Sequence, residues 1–143
     1  MFSKACKYAI NAMIYMASLP SPSERAGLKD IAKAIDSPEA FTAKILQSLV
    51  KDNLLTSIKG PHGGFTLLGN PEEIYLAQIV QSIDGEDLFV GCALGFKNCS
   101  ETHPCPVHHK FKAIRDHLTG MLLTTSLKDV AERVSIGASF LRY

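Results

Sequence analysis

Residues 36–68, DSPEAFTAKILQSLVKDNLLTSIKGPHGGFTLL, carry the pattern from which the fold can be read. Asp36-Ser37-Pro38-Glu39 has the order of a turn residue, an N-cap, a proline at the first helical position and a first-turn acid. The spacing predicts a helix from there to about Asp52, burying Phe41, Ile45, Leu46 and Leu49 and leaving Ala40, Ala43, Lys44, Gln47 and Lys51 on the opposite face. Just upstream, Leu28 to Ile35 reads as a shorter helix with Ile31, Ala32 and Ile35 inward. Two short helices joined by a tight turn form a helix-turn-helix, although an ordinary αα-hairpin gives the same pattern. The residues after the second helix separate the two. Asn53 suits the left-handed residue after a helix. Leu54–Ile58 and Phe65–Leu68 are strand candidates, and the turn Lys59-Gly60-Pro61-His62-Gly63-Gly64 lies between them. A hairpin directly after a recognition-type helix is a wing. The expected fold is mainly α: a winged helix-turn-helix with a two-stranded wing.

In such a fold the outer face of the second helix and the tip of the wing meet DNA. The candidate contacts are Ser37, Glu39, Ala40, Ala43, Lys44 and Gln47 on the helix side, and Lys59, Gly60 and His62 on the wing. The glycine run lacks the lysine-hydroxyl ending of a phosphate-binding P-loop. Charge is distributed to match. The chain of 143 residues has a formal net charge of only +1, but residues 1–66 hold eight Lys/Arg against five Asp/Glu, and the remainder seven against nine. This mild bias permits a basic face on the first half without proving one.

The flanking segments complete the domain. Ser3 is placed to cap a first helix through about Ser18, with Tyr8, Ala9, Ala12, Met13 and Met16 on one face. Leu19-Pro20-Ser21-Pro22-Ser23 breaks the chain. Asn70-Pro71-Glu72-Glu73 opens a further helix that turns Ile74, Ala77, Val80 and Ile83 inward and ends at Asp84-Gly85. A long helix is expected from Pro106 to about Leu123. Val107, Phe111, Ile114, Leu118 and Met121 recur along it at the 3.5-residue period of a helix packed on another helix, a dimer seam. Ser126 starts a last short turn with Leu127, Val130 and Val134, and Ser135–Tyr143 shows no clear pattern. The division is then residues 1–84 for DNA, 85–105 for a cysteine-rich loop and 106–143 for dimerisation.

That loop holds Cys92, Cys99 and Cys105, spaced C-x6-C-x5-C, with His108 three residues beyond. Glycines, Asn98, Ser100 and two prolines surround them, which favours a loop over three separately buried thiols. Three thiols and an imidazole suit zinc and iron–sulfur clusters alike. His103 and His109 compete with His108 as the fourth donor, and His117 reads as a solvated helix residue. Cys6 lies far from the trio and reads as a small buried side chain. Nothing supplies a C-x-x-C pair, a nucleophile elbow or convergent carboxylates, so an enzyme is not expected. With 46% hydrophobic residues the chain can bury a core, yet it has no apolar run of membrane-spanning length and no signal peptide. The expected location is the cytoplasm, where clustered thiols stay reduced.

Taken together these residues resemble the Rrf2 family of bacterial winged-helix transcription regulators. The resemblance runs from Tyr8-Ala9-Ile10-Asn11-Ala12-Met13 through the wing Lys59-Gly60-Pro61-His62-Gly63-Gly64-Phe65, similar to the family's Arg-Gly-Pro-Gly-Gly-Gly-Tyr, to Leu118-Thr119-Gly120-Met121-Leu122. It implies a homodimer on a near-palindromic operator in double-stranded DNA, with the long helices crossing between subunits. Operator affinity would be controlled by an iron–sulfur cluster sensing redox state, nitric oxide or cluster status. It also implies Cys92, Cys99 and Cys105 as ligands, with His108 at the spacing of the histidine ligand in IscR-like members and a two-iron form ahead of a four-iron one. NsrR-like members draw an aspartate from the partner's first helix, and Lys7 stands at that position here. The first cysteine gap is one residue longer than in close relatives, and a wing lysine replaces the usual arginine, a point charge in place of a fork. The alternative is a repressor of the same fold that is stabilised by zinc or is metal-independent, responding to a small molecule or to thiol oxidation.

Overall fold

The computed structural model describes residues 1–21 and 23–141. Pro22, within the expected break, and Arg142 and Tyr143 of the tail lie outside the described residues. The core is assembled around α1 (Lys4–Ala17), whose Ala9, Ala12, Met13 and Met16 are buried at helical spacing as the sequence predicts. Ser3 caps it: its hydroxyl accepts from the Cys6 N–H at 3.0 Å. Cys6 is fully buried in the same cluster, the bland role expected for it. Burial, together with the nearby Asp84 carboxylate, pushes its thiol up to about 12.

Helices α2 (Leu28–Ala34) and α3 (Glu39–Lys51) pack on α1 and form the helix-turn-helix. The α3 start differs by one residue from the sequence expectation. Pro38 occupies the cap position and Ser37 makes no side-chain cap bond; its hydroxyl is enclosed with no partner. The buried Thr42 hydroxyl donates back to the Pro38 carbonyl at 2.9 Å, a bond within the first turn that leaves the helix start without a side-chain cap. Phe41 is half-buried rather than buried, edge-on to Tyr8 with ring centroids 5.8 Å apart. The helix ends at Asn53, in the left-handed region at φ 61° as anticipated.

The wing is an antiparallel pair, β1 (Leu55–Ile58) and β2 (Gly64–Leu67), in the register Leu55↔Leu67, Thr56↔Thr66, Ser57↔Phe65 and Ile58↔Gly64. Each strand is set one residue away from the sequence expectation at one or both ends. The sequence gives no sign of a third segment, yet Ala26 pairs with Phe65, by Ala26 N–H to Phe65 O at 3.0 Å and the reverse at 2.8 Å. This pairing explains one glycine. A Cβ on Gly64 would lie 2.7 Å from the Ala26 carbonyl oxygen, and its φ of +150° already disfavours a side chain.

After the wing the single helix expected from Asn70 is interrupted. Pro71–Glu73 forms one 3-10 turn capped by Asn70, Ile74 and Tyr75 are extended, and α4 (Leu76–Asp84) begins only then. The interruption has a partner. Tyr75 bridges Ser126, Leu76 N–H donates to Thr125 O at 3.1 Å, and Leu127 N–H donates to Ile74 O at 2.7 Å. These backbone groups are satisfied across roughly 50 residues of chain rather than within a helix. Gly85 ends α4 at φ 71°. An unanticipated single turn, α5 (Asp87–Val90), precedes the cysteine loop. The long helix α6 (His108–Thr124) starts two residues later than predicted, with Pro106 in the turn before it. The expected last short turn is a full helix, α7 (Leu127–Ser135), held by a reciprocal cap between Ser126 and Asp129 and packed on α1. Among the described residues no helix is long and apolar enough to cross a membrane.

Candidate metal centre and nucleic-acid interface

The loop from Gly91 to Val107 lacks regular structure, and its geometry is set from its two ends. On one side Arg115 of α6 donates to the Gly91 carbonyl at 2.8 Å, fixing the residue before Cys92. On the other, His108 opens α6 and its N–H donates to the Cys105 carbonyl at 3.1 Å. Between these anchors the sulfurs of Cys92, Cys99 and Cys105 converge to within 4.8 Å of one another. Cys92 Sγ and Cys105 Sγ are 3.7 Å apart, and Cys99 Sγ is 3.1 Å from His108 Nδ1. The four candidate donors thus form two close pairs. Two thiolates bound at ~2.3 Å to one tetrahedral ion would be about 3.8 Å apart, close to the Cys92–Cys105 spacing. The donor set fits either zinc or an iron–sulfur centre chemically.

The competing histidines separate. His108 has a side chain 10% exposed and faces Cys99. His109 is 71% exposed, stands edge-on to His108, and has its Nδ1 4.0 Å from Glu101. His103 is exposed with Nδ1 3.2 Å from the Thr102 hydroxyl. His117 is exposed on α6.

The trio is electrostatically uneven. Desolvation opposes ionisation of Cys92, but backbone N–H groups of Phe96 and Leu94 and the neighbouring thiols outweigh it, bringing the thiol down to about 7. Cys99 moves the other way. The Cys105 N–H, 3.3 Å away, favours its thiolate, while desolvation and the two neighbouring thiols together hold its pKa above the ordinary value. Of these two thiols, Cys92 is the more readily ionised.

The proposed dimer seam lies beside this loop. Helix α6 buries only Leu122 among its 17 residues. Phe111, Ile114 and Met121 are exposed, Val107 and Leu118 half-buried. A cavity of about 330 Å³ opens there, with Cys92, Phe111, Ile114 and Leu118 on its wall.

On the helix-turn-helix, Glu39, Ala40, Lys44, Gln47 and Lys51 of α3 are exposed, with Ala43 half-buried. Lys59, Gly60 and His62 are exposed at the wing tip. The residue missed by sequence reasoning is Arg25, whose guanidinium donates to the His62 carbonyl at 3.0 Å and braces the tip. No local pattern flags it, because its partner lies 37 residues away.

Residues 2–133 match the family described as Rrf2, an iron-dependent transcriptional regulator. The chain belongs to the Rrf2 family. It is 31% identical over 131 residues to an HTH-type transcriptional regulator of Aquifex aeolicus, covering 90% of each chain. It is 26% identical over 130 residues to the transcriptional regulator IscR of Photorhabdus laumondii, covering 91% of this chain and 78% of that one. Among solved structures, CymR, the global cysteine regulator of B. subtilis, superposes with a TM-score of 0.76 at 23% identity, covering 92% of this chain and 96% of its own. T. potens IscR gives 0.76 at 19% identity, covering 97% and 91%. These likenesses establish the shared winged-helix fold. This Rrf2 chain is a DNA-binding transcription regulator and, like its named relatives, not an enzyme.

Proposed function

We propose that this Rrf2 regulator binds a near-palindromic operator as a homodimer, under the control of an iron–sulfur centre held by Cys92, Cys99, Cys105 and His108. One observation carries the reading: three sulfurs and a shielded imidazole nitrogen, contributed by one loop and the start of one helix, converge as the donor set of a metal centre does. When bound, a cluster supplies a charge that changes with redox state. The chain's residues do the rest. The exposed apolar stripe of α6, Phe111, Ile114 and Met121 with Leu118, docks the same stripe of a second copy, the commonest form of symmetric assembly. Arg115 ties the Cys92 end of the loop to that stripe, so a shift of the cysteines is felt at the seam. Rotation at the seam changes the spacing of two α3 helices, which must match half-sites about 34–36 Å apart. On each half-site Ala40, Ala43, Lys44 and Gln47 face the groove, with Glu39 and Ser37 at the helix start. Lys59, Gly60 and His62, braced by Arg25, lie along the backbone.

The test is iron and acid-labile sulfide analysis of protein purified without oxygen. Stoichiometric iron and sulfide with visible absorbance, abolished in each of Cys92→Ala, Cys99→Ala and Cys105→Ala, is the expected result. Colourless protein that carries only zinc sinks the cluster assignment. A second reading has its own observation. Cys92, with its thiol near 7, sits 3.7 Å from Cys105, poised to form a disulfide once an oxidant takes two electrons and both protons leave. The structural likeness to a cysteine regulator accords with such a thiol-responsive repressor. Metal-free protein that binds its operator and loses it on forming a Cys92–Cys105 disulfide would favour this reading.

A further inference from the structure

His108 has two ring nitrogens, and only one is accounted for. Nδ1 faces Cys99 Sγ at 3.1 Å. Nε2 is enclosed by the protein and has no hydrogen-bond partner. A neutral imidazole carries one N–H and one lone pair, so a histidine that binds metal through Nδ1 must keep its proton on Nε2. That proton needs an acceptor. The carboxylate facing it belongs to Glu101, with Oε1 3.5 Å from Nε2. Glu101 lies two residues after Cys99, on the same loop, and its side chain is 61% exposed. The gap exceeds the usual N–H···O span of about 2.7–3.2 Å by only a few tenths of an ångström, within the swing of an exposed glutamate.

We propose that Glu101 is the positioning residue of this centre, accepting the Nε2–H of His108 and thereby aiming the Nδ1 lone pair at the metal. Carboxylate–histidine–metal chains of this kind fix both the tautomer and the ring plane of a ligand. The inference rests on the reading of the trio and His108 as a metal centre. Glu101, His108 and His109 also bring three donor atoms within 4.8 Å, which raises the idea of a second cation. Lys112 argues against it. Its ammonium lies 4.0 Å from the same Glu101 oxygen, although its closer partner is Asp116 at 2.7 Å. A divalent ion would have to displace or face that positive charge. Glu101 therefore serves the imidazole.

The test follows the metal that the full-length protein carries when purified without oxygen. Iron and zinc are counted by elemental analysis, and their loss is timed in the presence of excess EDTA. Glu101→Ala should lose metal about 10- to 100-fold faster than wild type. Glu101→Gln, whose amide oxygen can still accept from Nε2, should fall between the two. In a His108→Ala background the Glu101→Ala change should add nothing, because the group it orients is gone. Wild-type retention in Glu101→Ala, or losses that multiply in the double variant, would overturn the proposal. A fall of one ion per chain in Glu101→Ala with unchanged retention of the rest would instead make Glu101 a ligand and also overturn it. If wild type carries no metal, the parent reading fails at the first measurement.

Discussion

Helices α1 and α6 are of similar length but opposite construction. In α1, six of 14 residues are buried; in α6, one of 17. Both carry apolar residues at helical spacing, so amphipathicity alone does not distinguish them. What differs is the surroundings: α2, α3, α4 and α7 all pack on α1, whereas α6 meets α4 and the single turn α5. The same contrast holds for polar groups. Ser3 closes the start of α1 on the Cys6 N–H, while the loop before α6 gathers three thiols and leaves His108 Nε2 without an acceptor. The helices around α1 bury one another's apolar faces, and α6 leaves most of its own open.

Substitutions can break this contrast or sharpen it. The largest effect belongs to the closed half: Leu46→Ala, at a fully buried position, should cost about 2–5 kcal/mol and lower the midpoint of thermal unfolding. Gly64→Ala should cost about 1–3 kcal/mol, because it strains a positive φ and drives a methyl group into the Ala26 carbonyl; weakened DNA binding in fluorescence anisotropy should accompany it. Lys59→Ala at the exposed wing tip should leave stability within about 0.5 kcal/mol and lower the salt slope of operator binding by about one. An unchanged slope would place Lys59 away from DNA. Ile114→Asp on α6 is the sharpest contrast to Leu46→Ala. At 61% exposure it should barely change the unfolding of a protomer, yet shift the sedimentation coefficient from dimer to monomer. If Ile114→Asp unfolds the chain without altering its assembly, the two helices are not different in kind.

The thiols offer a comparison by pH. A thiolate, not a thiol, is alkylated, so reactivity rises as pH passes the thiol pKa. In metal-free native protein Cys92 should become reactive through about pH 7, while Cys6, held up to about 12 and fully buried, should stay unlabelled at about pH 8. Peptide mapping after a short iodoacetamide pulse distinguishes them. Rapid native-state labelling of Cys6 would mean that the core around α1 opens far more readily than its packing implies.

The sequence was most legible where a signal is local. Ser3 as a cap, Asn53 as a left-handed residue and the glycine-rich turn of the wing each depend on neighbours a few residues away, and each stands where expected. The convergence of the cysteines was foreseeable for the same reason, since one loop carries all three. Expectation failed where a distant strand intervened. Asn70-Pro71-Glu72-Glu73 is a sound helix start, but Ile74 and Tyr75 are drawn into pairing with Thr125–Leu127, a competition no local pattern records. Ala26 and Arg25 carry no local signal for the same reason, because their partners Phe65 and His62 are far along the chain. Glu101 is likewise silent in the sequence, a lone surface glutamate whose nearness to His108 only the fold reveals.

The pairing of Tyr75 with Ser126 has a mechanical side. It fastens α6 to the body of the molecule at its Thr125 end through main-chain bonds, with Leu122 buried one turn earlier. Along its length α6 also meets α4 and the single turn α5, and its His108 end, some 25 Å away at ~1.5 Å per residue, closes the cysteine loop. Such a helix is a boom pivoted at its foot, and a small displacement at its tip becomes a change of slope along the whole stripe it offers to a partner.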